Sequence, residues 1–144
     1  PSGKSGREYL EELIQTVQDL NLESHIEFLD NLPQTEISDL LNKSKLLIHT
    51  SKFETFGLVA AEANAMGVPV LTTNSGSLLE IVENNRNGYY SNNLIDGNVN
   101  NFVKELLNNN EKFDEIMLNC LEKSSAYSWA NTAKELENLY KAFA

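Results

Sequence analysis

Two hydrophobic periods alternate along this chain. Leu10, Leu13, Ile14 and Val17 recur three and four residues apart, which predicts one face of a helix over about 6–20. Ser5 stands at its head with Glu8 three residues on, the pair that a capping box requires. His25-Ile-Glu-Phe-Leu29 then switches to alternation and reads as a strand. Pro33 closes the loop behind it, and Thr35 is placed to cap a short helix over about 35–43. Lys45 to Thr50 is an almost unbroken apolar run, as expected of a strand buried on both faces of a parallel sheet. A helix beginning near Gly57 carries Ala60, Ala61, Ala63 and Ala65, which propagate it and let it lie close to its neighbours. Gly67 ends it and Pro69 bars its continuation.

The pattern then repeats. Val70-Leu-Thr-Thr73 is a strand, Asn74-Ser-Gly-Ser77 a turn, and Ser77 is placed to cap a short helix over Leu78 to Glu83, with Glu80 in its first turn. Asn87-Gly88 signals a turn before a short strand at Tyr89-Tyr90. From about Gly97 onwards the pattern is helical. Phe102, Leu106 and Leu107 form one stripe, and Phe113, Ile116, Met117, Cys120 and Leu121 a second. The last helix starts at Ser128, with Trp129, Ala133, Leu136, Tyr140 and Phe143 on one face. Strands alternating with helices predict an α/β fold, a doubly wound, Rossmann-like parallel sheet.

Composition narrows the function classes. At 144 residues, 41% hydrophobic and 22% charged, the chain has the size and balance of one globular domain. No apolar run approaches the length of a membrane span. The net charge of −10 argues against nucleic acid or anionic lipid bound over a broad surface. No His, Asp or Glu cluster has metal-ligand spacing. Cys120 is the single cysteine, so there is no internal disulfide and no Cys-based metal site. Both suit a cytoplasmic protein, and we expect that location. Gly3-Lys4-Ser5 resembles the end of a phosphate-binding P-loop, but no later strand ends in the acidic residue such enzymes use for magnesium.

The stretch that organises the chain runs from Ser51 to Val70. Glu54 lies just before the helix and Glu62 in its second turn, so two carboxylates sit near one helix N-terminus. That end carries free N–H groups and partial positive charge. Glu54 and Glu62, with Phe56-Gly57 between them and Glu62-Ala-x-Ala-x-Gly-x-Pro-Val70 after, resemble the signature of retaining GT-B-fold glycosyltransferases, the glycogen-synthase-like and sucrose-synthase-like enzymes. The resemblance extends along most of the chain. It takes in His25-Ile-Glu-Phe-Leu-Asp30, Gly76-Ser-Leu-Leu-Glu-Ile-Val82 (with Ser77 where the family has a second Gly), Asn87-Gly-Tyr-Tyr90 and Tyr127-Ser-Trp129.

The resemblance implies roles. Glu54 would lie beside the donor sugar and fix its hydroxyls. Glu62 would accept hydrogen bonds from the ribose, a cis-diol that an ionised carboxylate suits. The backbone at Phe56, Gly57 and Leu58 would meet sugar and phosphate, with the Phe56 and Leu58 side chains in the core. Asn31 and Leu32 would face the base. His49 reads as a buried, satisfied histidine, His25, Gly76 and Glu80 as structural, and Lys52 as a surface lysine within reach of the donor. The partners implied are a nucleotide-diphosphate sugar, with a UDP-sugar favoured, and a carbohydrate or other hydroxyl acceptor. No cofactor is implied, any divalent ion riding on the diphosphate.

The family's domain opens with a strand, a helix and a second strand that carry an Arg and a Lys for the diphosphate. Neither has a counterpart here, nor has the acceptor-binding N-terminal domain. The resemblance therefore implies an incomplete half of a GT-B fold, spanning 1–144, inactive alone and completed by the missing domain or a partner chain, through which it would meet the membrane periphery. The family's sheet would place the missing strands between 25–29 and 46–50, leaving unpaired edges. Two other readings keep the fold: a non-catalytic nucleotide-sugar-binding subunit, and another GT-B-fold enzyme such as a nucleotide-sugar epimerase.

Overall fold

A computed structural model describes residues 5–143. Gly3 and Lys4 of the P-loop resemblance lie outside them. The described chain divides into two units, the first ending at Pro33 and the second beginning at Gln34.

The first unit is built on α1 (Gly6–Asp19). Its capping box is complete: the Ser5 Oγ accepts from the Glu8 N–H at 3.3 Å, and the Glu8 carboxylate accepts from the Ser5 N–H at 2.8 Å. Asn21, left-handed at φ 54, turns the chain out of the helix. No residue between 5 and 33 is buried. The predicted strand over 25–29 does not form. The Ile26 N–H turns back to the Leu22 carbonyl at 3.1 Å, residues 26–30 join no strand ladder, and Ile26, Phe28 and Leu29 are all exposed. Alternation marks which side chains share a face, but a strand also needs a neighbour for its N–H and C=O groups. Among the described residues none is paired with this segment.

The second unit opens with α2 (Gln34–Lys43). This helix starts directly after Pro33, so Thr35 lies inside its first turn rather than capping it. Then β1 (Leu47–His49), α3 (Leu58–Ala65), β2 (Val70–Thr73), α4 (Leu78–Ile81) and β3 (Gly88–Ser91) alternate. The three strands form one parallel sheet in the order β1-β2-β3, with Leu47 opposite Val70 and Val70 opposite Gly88. α5 (Gly97–Asn108), α6 (Asn110–Ser125) and α7 (Trp129–Ala142) complete the unit. The α/β class and the parallel sheet expected from the sequence are present.

Period-two alternation splits the sheet between two cores. Leu47 and Val70 face Leu41 of α2, Ala60 and Ala63 of α3, and Leu78 and Ile81 of α4. Leu46 and Tyr89 face Phe102 and Leu106 of α5 and Ile116 and Cys120 of α6. Helices thus cover both faces, as a doubly wound sheet requires. Two expectations fail at the margins. β1 is an edge strand and Ile48 is 59% exposed, so this strand is not buried on both faces. Leu107 is exposed as well, which ends the first stripe at Leu106.

A polar knot closes the second unit. The buried Asn87 side chain donates to the Asn64 side-chain oxygen and to the Ile81 carbonyl at 2.7 Å, and accepts from the Glu83 N–H at 2.7 Å. The Cys120 thiol donates to the Asn87 carbonyl at 3.4 Å, and burial pushes that thiol up to about 12. Lys123 and Arg86 pair with Glu83 at 2.6 and 2.8 Å, and hold its carboxyl below the ordinary carboxylate value, Lys123 more than Arg86. Among the described residues no helix is long and apolar enough to cross a membrane.

Candidate functional site

The carboxyl end of β1 delivers the chain into the loop that carries Glu54. Two threonines of β2 fix that exit. Thr72 Oγ1 donates to the His49 carbonyl at 2.9 Å, and Thr73 Oγ1 donates to the Ser51 carbonyl. Ser51 Oγ in turn donates to the Phe53 carbonyl at 2.8 Å. The loop then rises to Gly57, which caps α3 at φ 87. Any side chain there would be strained, and its Cβ would stand 2.9 Å from Leu78 and 3.0 Å from Ile81. Gly76, in the turn after β2, is left-handed at φ 52 and lies directly on Glu54. A Cβ at Gly76 would come within 2.3 Å of the Glu54 carbonyl. The two loops at the carboxyl ends of β1 and β2 are therefore packed backbone to backbone, in the region where open α/β sheets bind ligands.

Glu54 is held at both oxygens. One lies 3.1 Å from His49 Nε2, and the other accepts from the Thr55 N–H at 3.0 Å. Its carboxyl sits below the ordinary value, chiefly through the His49 hydrogen bond and further through the N–H groups of Thr55, Phe56 and Gly57, against a smaller cost of burial. The carboxylate is thus kept ionised at the start of α3. Ala61 N–H to Gly57 carbonyl, 3.0 Å, is the first bond of the helical ladder. The N–H groups of Leu58, Val59 and Ala60 precede it, where a helix start presents unclaimed donors.

Glu62 stands one turn further along α3 and accepts from Gln34 Nε2 at 3.3 Å. It opens onto a cleft of about 710 Å3, lined also by Phe56, Leu58, Tyr127 and Trp129. Here the expectation for the aromatic loop is corrected. Phe56 and Leu58 are 51% and 64% exposed, so their side chains are walls of the cleft, not core. The core positions under this loop are instead taken by Leu78 and Ile81, which fill the space beside Gly57. His49 is satisfied, as expected, by Glu54, but it is half-buried rather than buried. Ser77 precedes α4 in helical conformation, makes no capping bond, and its buried oxygen has no partner among the described residues. The helix it was expected to cap ends at Ile81 because Val82 is already extended.

The structure thus brings Glu54, Phe56, Gly57, Leu58 and Glu62 together on one loop and helix. Asn31 and Leu32 lie in the first unit, Asn31 left-handed at φ 52 and Leu32 half-buried. Lys52 is exposed, and His25 is exposed with its ring nitrogen 3.0 Å from Ser24 Oγ. Among the described residues no group of three His, Cys, Asp or Glu side chains could hold a metal. Gln34 and the His49–Glu54 pair escaped sequence reasoning. The five-residue spacing of a strand-terminal His and a loop Glu was the available signal for the pair.

The family model described as "Glycosyl transferases group 1" matches residues 3–119. The chain belongs to this family. This group 1 glycosyl transferase chain is 31% identical over 146 aligned residues to a D-inositol 3-phosphate glycosyltransferase of Corynebacterium urealyticum, covering 99% of the chain and 33% of that protein. It is also 31% identical to an uncharacterized glycosyltransferase of Methanocaldococcus jannaschii, over 82% of the chain and 34% of that protein. The chain spans about a third of the length of the curated relatives it matches. Among solved structures, Anabaena HepE in complex with UDP-glucose superposes with a TM-score of 0.80 at 25% identity, over 96% of this chain and 38% of that one. Sucrose-phosphate synthase from Thermosynechococcus elongatus gives 0.79 at 25%, over 99% and 36%. The group 1 chain therefore has the architecture of GT-B glycosyltransferases.

Proposed function

We propose that this domain is the donor-binding half of a retaining glycosyltransferase, carrying a hexose from a nucleotide diphosphate to a hydroxyl acceptor. The observation that carries the reading is the start of α3, where Glu54 is kept ionised while Glu62 opens onto the adjoining cleft. In this reading Glu54 takes hydrogen bonds from the sugar hydroxyls and Glu62 from the ribose diol. The N–H groups at the head of α3 meet the diphosphate. HepE, solved with UDP-glucose, supports a UDP-sugar as donor.

Catalysis in this scheme is positioning plus electrostatic stabilisation of the departing diphosphate. A net charge of −10 opposes that anion, so further cations must come from outside these 144 residues. The 144-residue chain alone is then inactive, and the acceptor site, like any peripheral membrane contact of this cytoplasmic enzyme, belongs to another domain or a partner chain.

Ligand-observed NMR of the full-length protein with UDP and GDP tests the donor. Glu62→Ala should weaken binding by roughly tenfold or more, the worth of hydrogen bonds to a charged group. Unchanged affinity in that variant removes Glu62 from the ribose. Anomeric analysis of the product tests retention, and turnover by the 144-residue chain would sink the claim of its inactivity.

A further inference from the structure

We propose that His49 is a positioning residue for donor transfer, its Nε2–H holding the Glu54 carboxylate in the orientation that receives the sugar. This rests on the reading of Glu54 as a donor contact.

Both ends of the pair are anchored. His49 sits in register opposite Thr72, and its carbonyl is further tied by the Thr72 hydroxyl at 2.9 Å. The Glu54 backbone rests against Gly76. Lys52 and Phe53, between them, are exposed, Phe53 at 81%. The 3.1 Å contact from Nε2 to Oε2 therefore joins a fixed strand end to a fixed loop position. The two side chains are 21% and 23% exposed, so water competes only partly for the contact. Oε1 faces the Thr55 N–H, the Phe56 and Gly57 N–H groups add to the hold on the carboxylate, and His49 supplies its side-chain donor, on Oε2. A side chain with no donor at this place would leave Oε2 without its side-chain partner and loosen the carboxylate against its backbone contacts. Displacements of about an ångström in a positioned group cost up to a hundredfold in rate.

The test compares His49→Leu, His49→Gln and Glu54→Gln in the full-length protein. Gln places an N–H close to where Nε2 stands, and Leu removes it. UDP release from a panel of UDP-hexoses gives turnover, and UDP titration gives affinity for the nucleotide alone. We expect His49→Leu to lower kcat about tenfold or more, as loss of an orienting partner does, with UDP affinity unchanged. His49→Gln should keep most of the turnover. The inference is overturned if His49→Leu turns over like the wild type, if His49→Gln loses as much as His49→Leu, or if His49→Leu loses UDP affinity along with rate. Full turnover by Glu54→Gln, or no turnover of any UDP-hexose by the wild type, fails the donor reading itself and is recognised without reference to His49.

Discussion

The first unit and the second each carry a helix with an equally marked apolar stripe, with opposite results. α1 carries Leu10, Leu13 and Ile14 on one stripe, yet all three are exposed and the helix buries nothing. α5 carries a stripe of the same kind, and Phe102 and Leu106 are buried against Tyr89, Ile116 and Cys120. The difference lies in what stands opposite. β2 has a paired strand on each side and helices on both faces, while residues 26–30 have no ladder at all. Local signals such as the capping box complete themselves anywhere. Burial and strand pairing are properties of the neighbours.

The sharpest way to break this contrast is a matched pair of truncations. Leu78→Ala, at a fully buried side chain, should cost about 2–5 kcal/mol in urea unfolding of the chain. Leu13→Ala, at 37% exposure, is the matching change in the first unit, and its cost is the smallest expected here. Asn87→Ala comes next in size. It strands the Glu83 N–H and the Asn64 oxygen, and roughly 1–3 kcal/mol follows from leaving buried groups unpaired. Hydrogen exchange sharpens the comparison further: the Leu71 and Thr72 amides should exchange only on global unfolding, and those of 27–30 far faster.

Acid has a smaller effect. Glu54 and Glu83 both sit below the ordinary value of 4.5, so the stability they add is present above that pH and lost as pH falls through their lowered values. Thermal melts of Glu83→Gln should be less sensitive to acid than those of the wild type. Smallest of all, Leu13→Ala should shift stability by no more than about 0.5 kcal/mol, as exposed positions do. A cost like that of Leu78→Ala would mean that the first unit has a core of its own.

What the sequence made legible follows the same division. The capping box at Ser5, the run of alanines from Ala60, the stop at Gly67 and Pro69, and the strand at 70–73 each depend on residues a few positions apart, and each stands as expected. The turn at Gly76 was legible too, although not that its left-handed backbone would bear on Glu54. The misses depend on distant partners. Alternation at 25–29 could not say whether a strand would lie alongside. An apolar Phe56 and Leu58 could not reveal that Leu78 and Ile81 would fill the core first. Ser77 has the composition of a cap but is held in helical geometry. Asn87 looked like a turn residue and proved to be the centre of a buried knot, since only the fold brings Asn64 and Glu83 to it.

That knot ends in a sulfur atom, and the sulfur makes the molecule its own clock. Cys120 is the single thiol of the chain, fully buried, and at a value of about 12 it carries almost no thiolate at neutral pH. An alkylating reagent can therefore reach and react with it only in molecules whose α5–α6 core has opened. The labelling rate reports the open population where reclosing is fast, and the opening rate where alkylation outpaces it, with no residue changed. The same burial keeps folded chains from joining through a disulfide under oxidising conditions, so any covalent dimer that accumulates records time spent unfolded.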